Sequence, residues 1–486
     1  MQLHTLAVHQ LSELIQGKEV SAAEVTKDYL EHLNQIEDET RAFVTVTKEE
    51  ALARAEDVDQ RLARGESLSA LAGIPVAVSD NICTDGIRTT CASSMLHNFI
   101  PPYDATAVAR LKTAGAVIIG KCNLDEFGMG SSTENSAFFS SKNPFDSAAV
   151  PGGACGGSAV AVAAGEAAFA LGADTCGDIR QPAAFCGIIG LKPTYGYVSR
   201  NGLISYASSL DQIGPLTRDM TDLALVLNVI CGYDTLDSTS IQAETPDFKN
   251  YLINDVQGLR IGVPTEYFKT GTAPGVAAKL REAVSKLEEL GAVCAEVTLP
   301  HIEYAPAAYY IISSAEASSN LARYDGVRYG LRVEAEDVLS MFKKTRSQGF
   351  GAEVKRRLML GTHVLSKDNY ADFYVKALQI RTLIKHDFER ALEEFDCLLT
   401  PTSPTVAFKV GEKADDPLAM YLSDIYTLPA NMTGLPAMSL PFGTADGLPV
   451  GLQFIARSFD ERTLLRVGYT LEQNTDQTKL QPGLSR

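Results

Sequence analysis

A helix that stops at a glycine and runs directly into an apolar strand most narrows what this chain can fold into. Residues 105–114 read as a helix, Gly115 ends it, and 116–120 follow as a strand. The order returns at 275–290, Gly291 and 292–299, with another strand ahead of it at 259–264. Glycine takes up the left-handed helix end at no steric cost, and helix–strand alternation predicts α/β layering. Further strands are predicted at 73–78, 396–400, 437–441 and 450–455. The first 36 residues read as two helices. The second enters through a Ser21-x-x-Glu24 capping box and carries Val25, Tyr29, Leu33 and Ile36 on one face. A charged helix over 48–65 completes an N-terminal helical segment, 1–65. Residues 303–388 read as mostly helical, an insertion or cap. The run 158–173, rich in alanine and glycine and interrupted by Glu166, makes a poor membrane span and a good buried helix. The expected architecture is one α/β domain over residues 1–486, with a large mixed sheet between helical layers.

Composition excludes several function classes. Apolar residues are 45% and charged residues 21%, which suits a folded core rather than disorder. The net charge of −17 gives no footprint for direct contact with nucleic acid or an anionic membrane. The nine cysteines are odd in number and form no Cys-x-x-Cys pair, which argues for reduced thiols and a cytoplasmic protein, not a disulfide framework or zinc site. The N-terminus shows no signal peptide.

The most unusual stretch is 150–194. It holds Pro151-Gly-Gly-Ala-Cys-Gly-Gly-Ser158, then Asp174-Thr-Cys-Gly-Asp-Ile-Arg-Gln-Pro182, then Gly187-Ile-Ile-Gly-Leu-Lys-Pro-Thr194. A glycine-rich loop before a helix can turn several backbone N–H groups toward an anion. It is neither a Walker loop nor a dinucleotide fingerprint; tight packing is the plain alternative.

These residues resemble the amidase signature family, most closely its branch of tRNA-dependent amidotransferase A subunits. The resemblance rests on 73–215 and on long matches at 130–137 (Gly-Ser-Ser-Thr-Glu-Asn-Ser-Ala), 208–218, 315–329 and 421–424. It implies the amidase signature fold and a Ser–Ser–Lys triad. In that triad one serine attacks an amide, a second relays the proton and a neutral lysine is the base, with backbone amides stabilising the oxyanion. In the tRNA branch the amide is glutamine, and ammonia passes to another subunit. No cofactor and no metal are implied; the partners implied are B- and C-subunit-like proteins and a small amino-acid or amide ligand.

The chain departs from this pattern where the chemistry lies. The triad lysine falls on Ser79, the relay serine on Ala154 and the nucleophile on Asp178. Cys155 stands for a serine and Cys176 for a glycine, while Thr175, Gly177, Arg180 and Gln181 match. A carboxylate at 178 opposes an anion forming beside it by about 4 kcal/mol at 4 Å. Ser79 and Ala154 supply no base. Amide hydrolysis by the ancestral route is therefore expected to be absent, and the chain is expected to be a pseudo-amidase with a binding, scaffolding or regulatory role. Two alternatives stand beside it. One is a repurposed enzyme acting through Asp178 and the thiols of Cys155 and Cys176, on an amide, an amino acid or a peptide. The other is an ordinary A subunit inactivated by substitution. The resemblance also places a grip for amino-acid charges at Arg357 (or Arg356, one register away) and Asp424, with Thr175, Gly177 and Tyr309 lining the pocket. Lys192 could serve catalysis only by reaching the same cavity.

Overall fold

The computed structural model describes residues 2–268 and 271–483. Among these residues eleven strands build one mixed sheet: β1 (Phe43–Val46), β2 (Pro75–Ser79), β3 (Val117–Cys122), β4 (Phe169–Asp174), β5 (Ile189–Lys192), β6 (Gln212–Thr217), β7 (Arg260–Pro264), β8 (Val293–Val297), β9 (Cys397–Pro401), β10 (Ala437–Ala445) and β11 (Leu448–Ala456). Their order is β1-β3-β2-β4-β6-β5-β10-β11-β9-β7-β8. Two parallel triplets, β3-β2-β4 and β9-β7-β8, flank an antiparallel middle.

Alternation along the strands sends side chains into two cores. Val76, Val78, Ile118, Phe169 and Leu171 pack with Leu11, Val108, Leu111, Leu223 and Leu464. Ala77, Val117, Ile119 and Ala170 point the other way, onto Ala51, Val58, Val160 and Ala183. A period of two on strands buried on both faces requires a helical layer on each side. A third core joins Ala437 and Ile455 to Ala308, Ile312, Val354, Leu358, Ile384 and Phe388. Those residues lie on the helices Ala305–Asn320, Ala352–Val364 and Lys376–Glu394.

The capping box forms: Ser21 Oγ accepts from the Glu24 amide at 3.1 Å, and the Ser21 amide donates back to Glu24 at 2.8 Å. Both helix–glycine–strand units are present, with Gly115 and Gly291 left-handed at φ +91° and +96°. The run 158–173 is not one helix. The helix Gly156–Ala163 ends near Gly165 (φ +77°), and the rest becomes the central strand β4. An apolar run buried on every side lacks the periodicity that separates a buried helix from a buried strand.

Candidate functional site

Open α/β sheets gather their chemistry at the carboxyl ends of parallel strands. Ser79 ends β2, and Asp174 ends the neighbouring parallel strand β4. The loop after Asp174 carries Thr175, Cys176, Gly177 and Asp178 into the helix Arg180–Phe185. The glycine-rich loop 151–155 reaches the same place ahead of the helix Gly156–Ala163, and its Gly153–Ala154 peptide bond is cis. Ser79, Ala154, Cys155 and Asp178 are all buried and meet there. Ser79 Oγ lies 3.7 Å from Cys155 Sγ. The Cys155 amide donates to the Asp178 carbonyl at 3.0 Å.

The Asp178 carboxylate takes up the backbone donors of both loops. Its Oδ2 accepts from the amides of Thr175 (2.6 Å) and Cys176 (2.9 Å), and its Oδ1 from that of Ala154 (3.1 Å). Donors able to meet an oxyanion thus meet a resident carboxylate. Burial, and next the charge of Asp174, push Asp178 up to about 7. Asp174 behaves oppositely. Burial works against its charge, but the Arg180 guanidinium, bound at 3.0 Å through both Nε and Nη2, holds it below the ordinary carboxylate range. Arg180 also donates to Thr427 O, Gln453 Oε1 and Asn431 Oδ1, locking the loop to the antiparallel half of the sheet. Gly177 has φ +132°, and a Cβ there would stand 2.2 Å from Thr427 Oγ1, so only glycine fits. Thr175 Oγ1 donates to Asp211 Oδ1 at 2.8 Å.

Both thiols are poor nucleophiles. Burial first, then the Asp178 charge, push Cys155 up to about 12 and Cys176 well above its ordinary value. Cys176 Sγ sits between two carboxylates, 3.9 Å from Asp178 Oδ1 and 3.7 Å from Asp424 Oδ2.

Asp424 borders this loop at the Cys176 thiol, and Arg357 lies on the helix Ala352–Val364. The two candidate registers differ in burial: the Arg357 side chain is 3% exposed and the Arg356 side chain 46%. Arg357 Nε donates to Glu353 Oε1 at 2.7 Å, Nη1 donates to the Tyr206 hydroxyl, and the guanidinium lies 5.2–5.5 Å from the ring centres of Tyr206, Tyr310 and Tyr421. Asp424 accepts from Ser131 Oγ and, at 2.9 Å, from Gln181 Nε2. Burial drives its carboxyl well up. Gln181 Oε1 in turn accepts from the Gly153 amide at 3.0 Å. Tyr309 is fully buried, edge-on to Tyr310 at 5.0 Å, with its hydroxyl beside the Cys176 thiol. Lys192 does not supply a base at this centre. It is buried, pushed down to about 7, and donates to the Pro193 carbonyl.

Ser131, Gln181, Tyr206 and Glu353 were not singled out as site residues from the sequence. Glu353 had a signal, its i,i+4 spacing from Arg357 on a helix; Tyr206 and Ser131 join the pocket only through tertiary folding. Among the described residues, metal-ligand atoms converge at His9, Asp219 and Asp222. There Asp219 and Asp222 cap the helices Met220–Ile230 and Val8–Gln16.

The sequence profile of the amidase family matches residues 24–465. This chain belongs to the amidase family. The amidase chain is 60% identical over 484 residues to the A subunit of the glutamyl-tRNA(Gln) amidotransferase of Moorella thermoacetica, covering 100% of this chain and 99% of that one. It is 53% identical over 485 residues to its counterpart in Geobacillus thermodenitrificans, covering 100% of each. In structure it resembles the glutamyl-tRNA(Gln) amidotransferase A subunit of Thermotoga maritima, with TM-score 0.84, 40% identity, and 100% and 99% of the two chains covered. These likenesses overturn the expectation of an inactive-triad pseudo-amidase kept for binding, scaffolding or regulation. The chain shares 53–60% identity from end to end with A subunits of that enzyme. Burial pushes both thiols up, which works against a thiolate nucleophile at Cys155 or Cys176. Among the described residues no helix is long and apolar enough to cross a membrane.

Proposed function

We propose that this amidase works as the A subunit of a Glu-tRNA(Gln) amidotransferase, the component that takes up glutamine, in the cytoplasm and with B- and C-type partners. The observation that carries this reading is the 60% identity, over the whole chain, with an A subunit of that enzyme. The geometry agrees with it. Arg357 offers a cation for the α-carboxylate, and Asp424 offers an acceptor for the α-ammonium. Asp424 touches the Cys176 thiol, at 3.7 Å, in the Cys176–Asp178 loop toward which the carboxamide of a bound glutamine would point. A guanidinium and a carboxyl acceptor suit the two ends of an amino acid, because an unmatched ligand leaves a buried polar group bare. Acidic composition leaves the tRNA to the partner subunits.

Co-expression with B- and C-type subunits tests the proposal. The expected result is a single heterotrimer on gel filtration that binds glutamine by calorimetry, with binding weakened at least tenfold by Asp424→Asn. A chain that stays apart from both partners refutes the assignment.

A further inference from the structure

Two successive buried carboxyls, Asp125 and Glu126, follow β3 and bond to different segments around the centre. We propose that this dipeptide is the common mount of the amino-acid grip: Asp125 positions the segment bearing Ser131 against Asp424, and Glu126 positions the helix bearing Arg357. The inference rests on the reading of Arg357 and Asp424 as the ligand's charge partners.

The Asp125 half is built from amides. Its Oδ2 accepts from Thr133 (2.8 Å) and Ser132 (3.2 Å), and its Oδ1 from Asn135 (2.9 Å). That fixes the turn in which Ser131 donates to Asp424. Its own amide donates to the Ala154 carbonyl at 3.0 Å, so the mount also touches the centre.

The Glu126 half reaches across the fold. Glu126 Oε2 accepts from the Gly351 amide at 2.7 Å, and Oε1 accepts from Ser93 Oγ. Gly351 is the N-cap of the helix Ala352–Val364, which carries Glu353 and Arg357. A carboxylate at a helix N-terminus is ordinarily supplied by the capping residue itself or by its first turn. Here the capping residue has no side chain, the first-turn Glu353 is bonded to Arg357, and the carboxylate that meets the cap amide comes from 225 residues earlier. The fit is close: a Cβ on Gly351 would lie 2.5 Å from Glu126 Oε2, and one on Gly153 would lie 2.3 Å from Asp125 Oδ2. Phe127 completes the mount in the left-handed region (φ 54°, ψ 22°), a conformation seldom held by a bulky residue except where its surroundings enforce it. Its ring packs 5.8 Å from that of Phe350, the residue before the cap.

Calorimetry on the assembled complex tests the proposal, with two ligands: glutamine, and glutamine with its α-carboxylate blocked as an amide. Glu126→Gln should weaken glutamine about tenfold and leave the blocked ligand unchanged, since only the Arg357 wall has moved. Ser93→Ala, a milder change, should weaken glutamine about twofold to threefold with the same selectivity; it decides the matter if Glu126→Gln does not fold. Equal loss for both ligands, or no loss for glutamine, overturns the mount. Arg357→Met separates the two failures. If it abolishes glutamine binding while Glu126→Gln binds normally, the grip stands and the mount falls. If Arg357→Met binds glutamine as the native chain does, or the native chain binds none, the grip falls and the mount with it.

Discussion

Asp178 in the centre and Arg357 in the grip are equally buried, yet their charges are met differently. Arg357 has a carboxylate partner in Glu353 and three aromatic rings around it. Glu353, although burial opposes its charge, is held below the ordinary range by Arg357. Asp178 has backbone amides and the Cys176 thiol but no cation, and burial first, then the like charge of Asp174, raise it to about 7. Four residues earlier, Asp174 shares that burial but has Arg180, and it stays low. Burial alone decides neither case; a bonded cation does. At Arg357 the buried charge is balanced by Glu353; in the centre, Asp174 has a bonded cation and Asp178 has none.

The largest effect should come from unbalancing the Arg357 side. Arg357→Met leaves Glu353 buried without its cation and removes the group proposed to meet the ligand's α-carboxylate, so glutamine binding to the assembled complex should weaken by about a hundredfold or more. Calorimetry reads it. A variant that binds glutamine as its parent does would mean that the contrast between the two regions lies elsewhere.

Next comes the cation that the centre retains. Arg180→Met leaves Asp174 buried and unpaired, which should cost about 3–5 kcal/mol of stability. Denaturant unfolding reads it. A loss below about 1 kcal/mol would mean that Asp174 does not depend on Arg180 and would erase the contrast with Asp178.

How much of this was readable from residues alone follows from the same physics. The edges of the fold were legible, because helices such as Ala22–Thr40 carry one apolar face and announce themselves by cap and period. Part of the middle of the sheet was not: β4, β5 and β6 were missed, as was the short β1, and β4 continues an apolar run from the helix before it with no periodicity to part the two. At the site, Ser79, Ala154, Cys155 and Asp178 were named and do meet. Their electrostatics required coordinates, since it is Asp174 and the amides of Thr175, Cys176 and Ala154 that set the state of Asp178. The functional inference failed for a different reason. Five changed residues in the centre were given more weight than the hundreds of unchanged ones around it.

A smaller effect concerns pH. Asp178 releases its proton near 7 when folded and near 3.9 when unfolded. Between those values the folded chain holds the extra proton, so stability falls as pH rises and levels off above about 7. Asp178→Ser removes this penalty. It should stabilise the protein more at pH 8 than at pH 5, by about 2–3 kcal/mol. Unfolding curves at the two pH values check the sign; an equal gain at both would place the folded Asp178 near its ordinary value.

The smallest effect tests the thiols beside that carboxylate. With Cys155 pushed up to about 12, only about one molecule in 10⁴ carries the thiolate at pH 8. Cys176 lies between two carboxylates and is raised still more plainly by burial. Iodoacetamide at pH 8 should therefore leave both unmodified in the folded chain, and peptide mass mapping reads this directly. Cys155→Ala should cost no more than about 1–2 kcal/mol, the loss of a small buried group. In the background of Asp178→Ser the neighbouring charge is gone but burial remains, so both cysteines should still resist alkylation. Rapid modification in that variant would show that the carboxylate, and not burial, keeps the thiols protonated, and would reverse the order of causes on which the comparison with the grip rests.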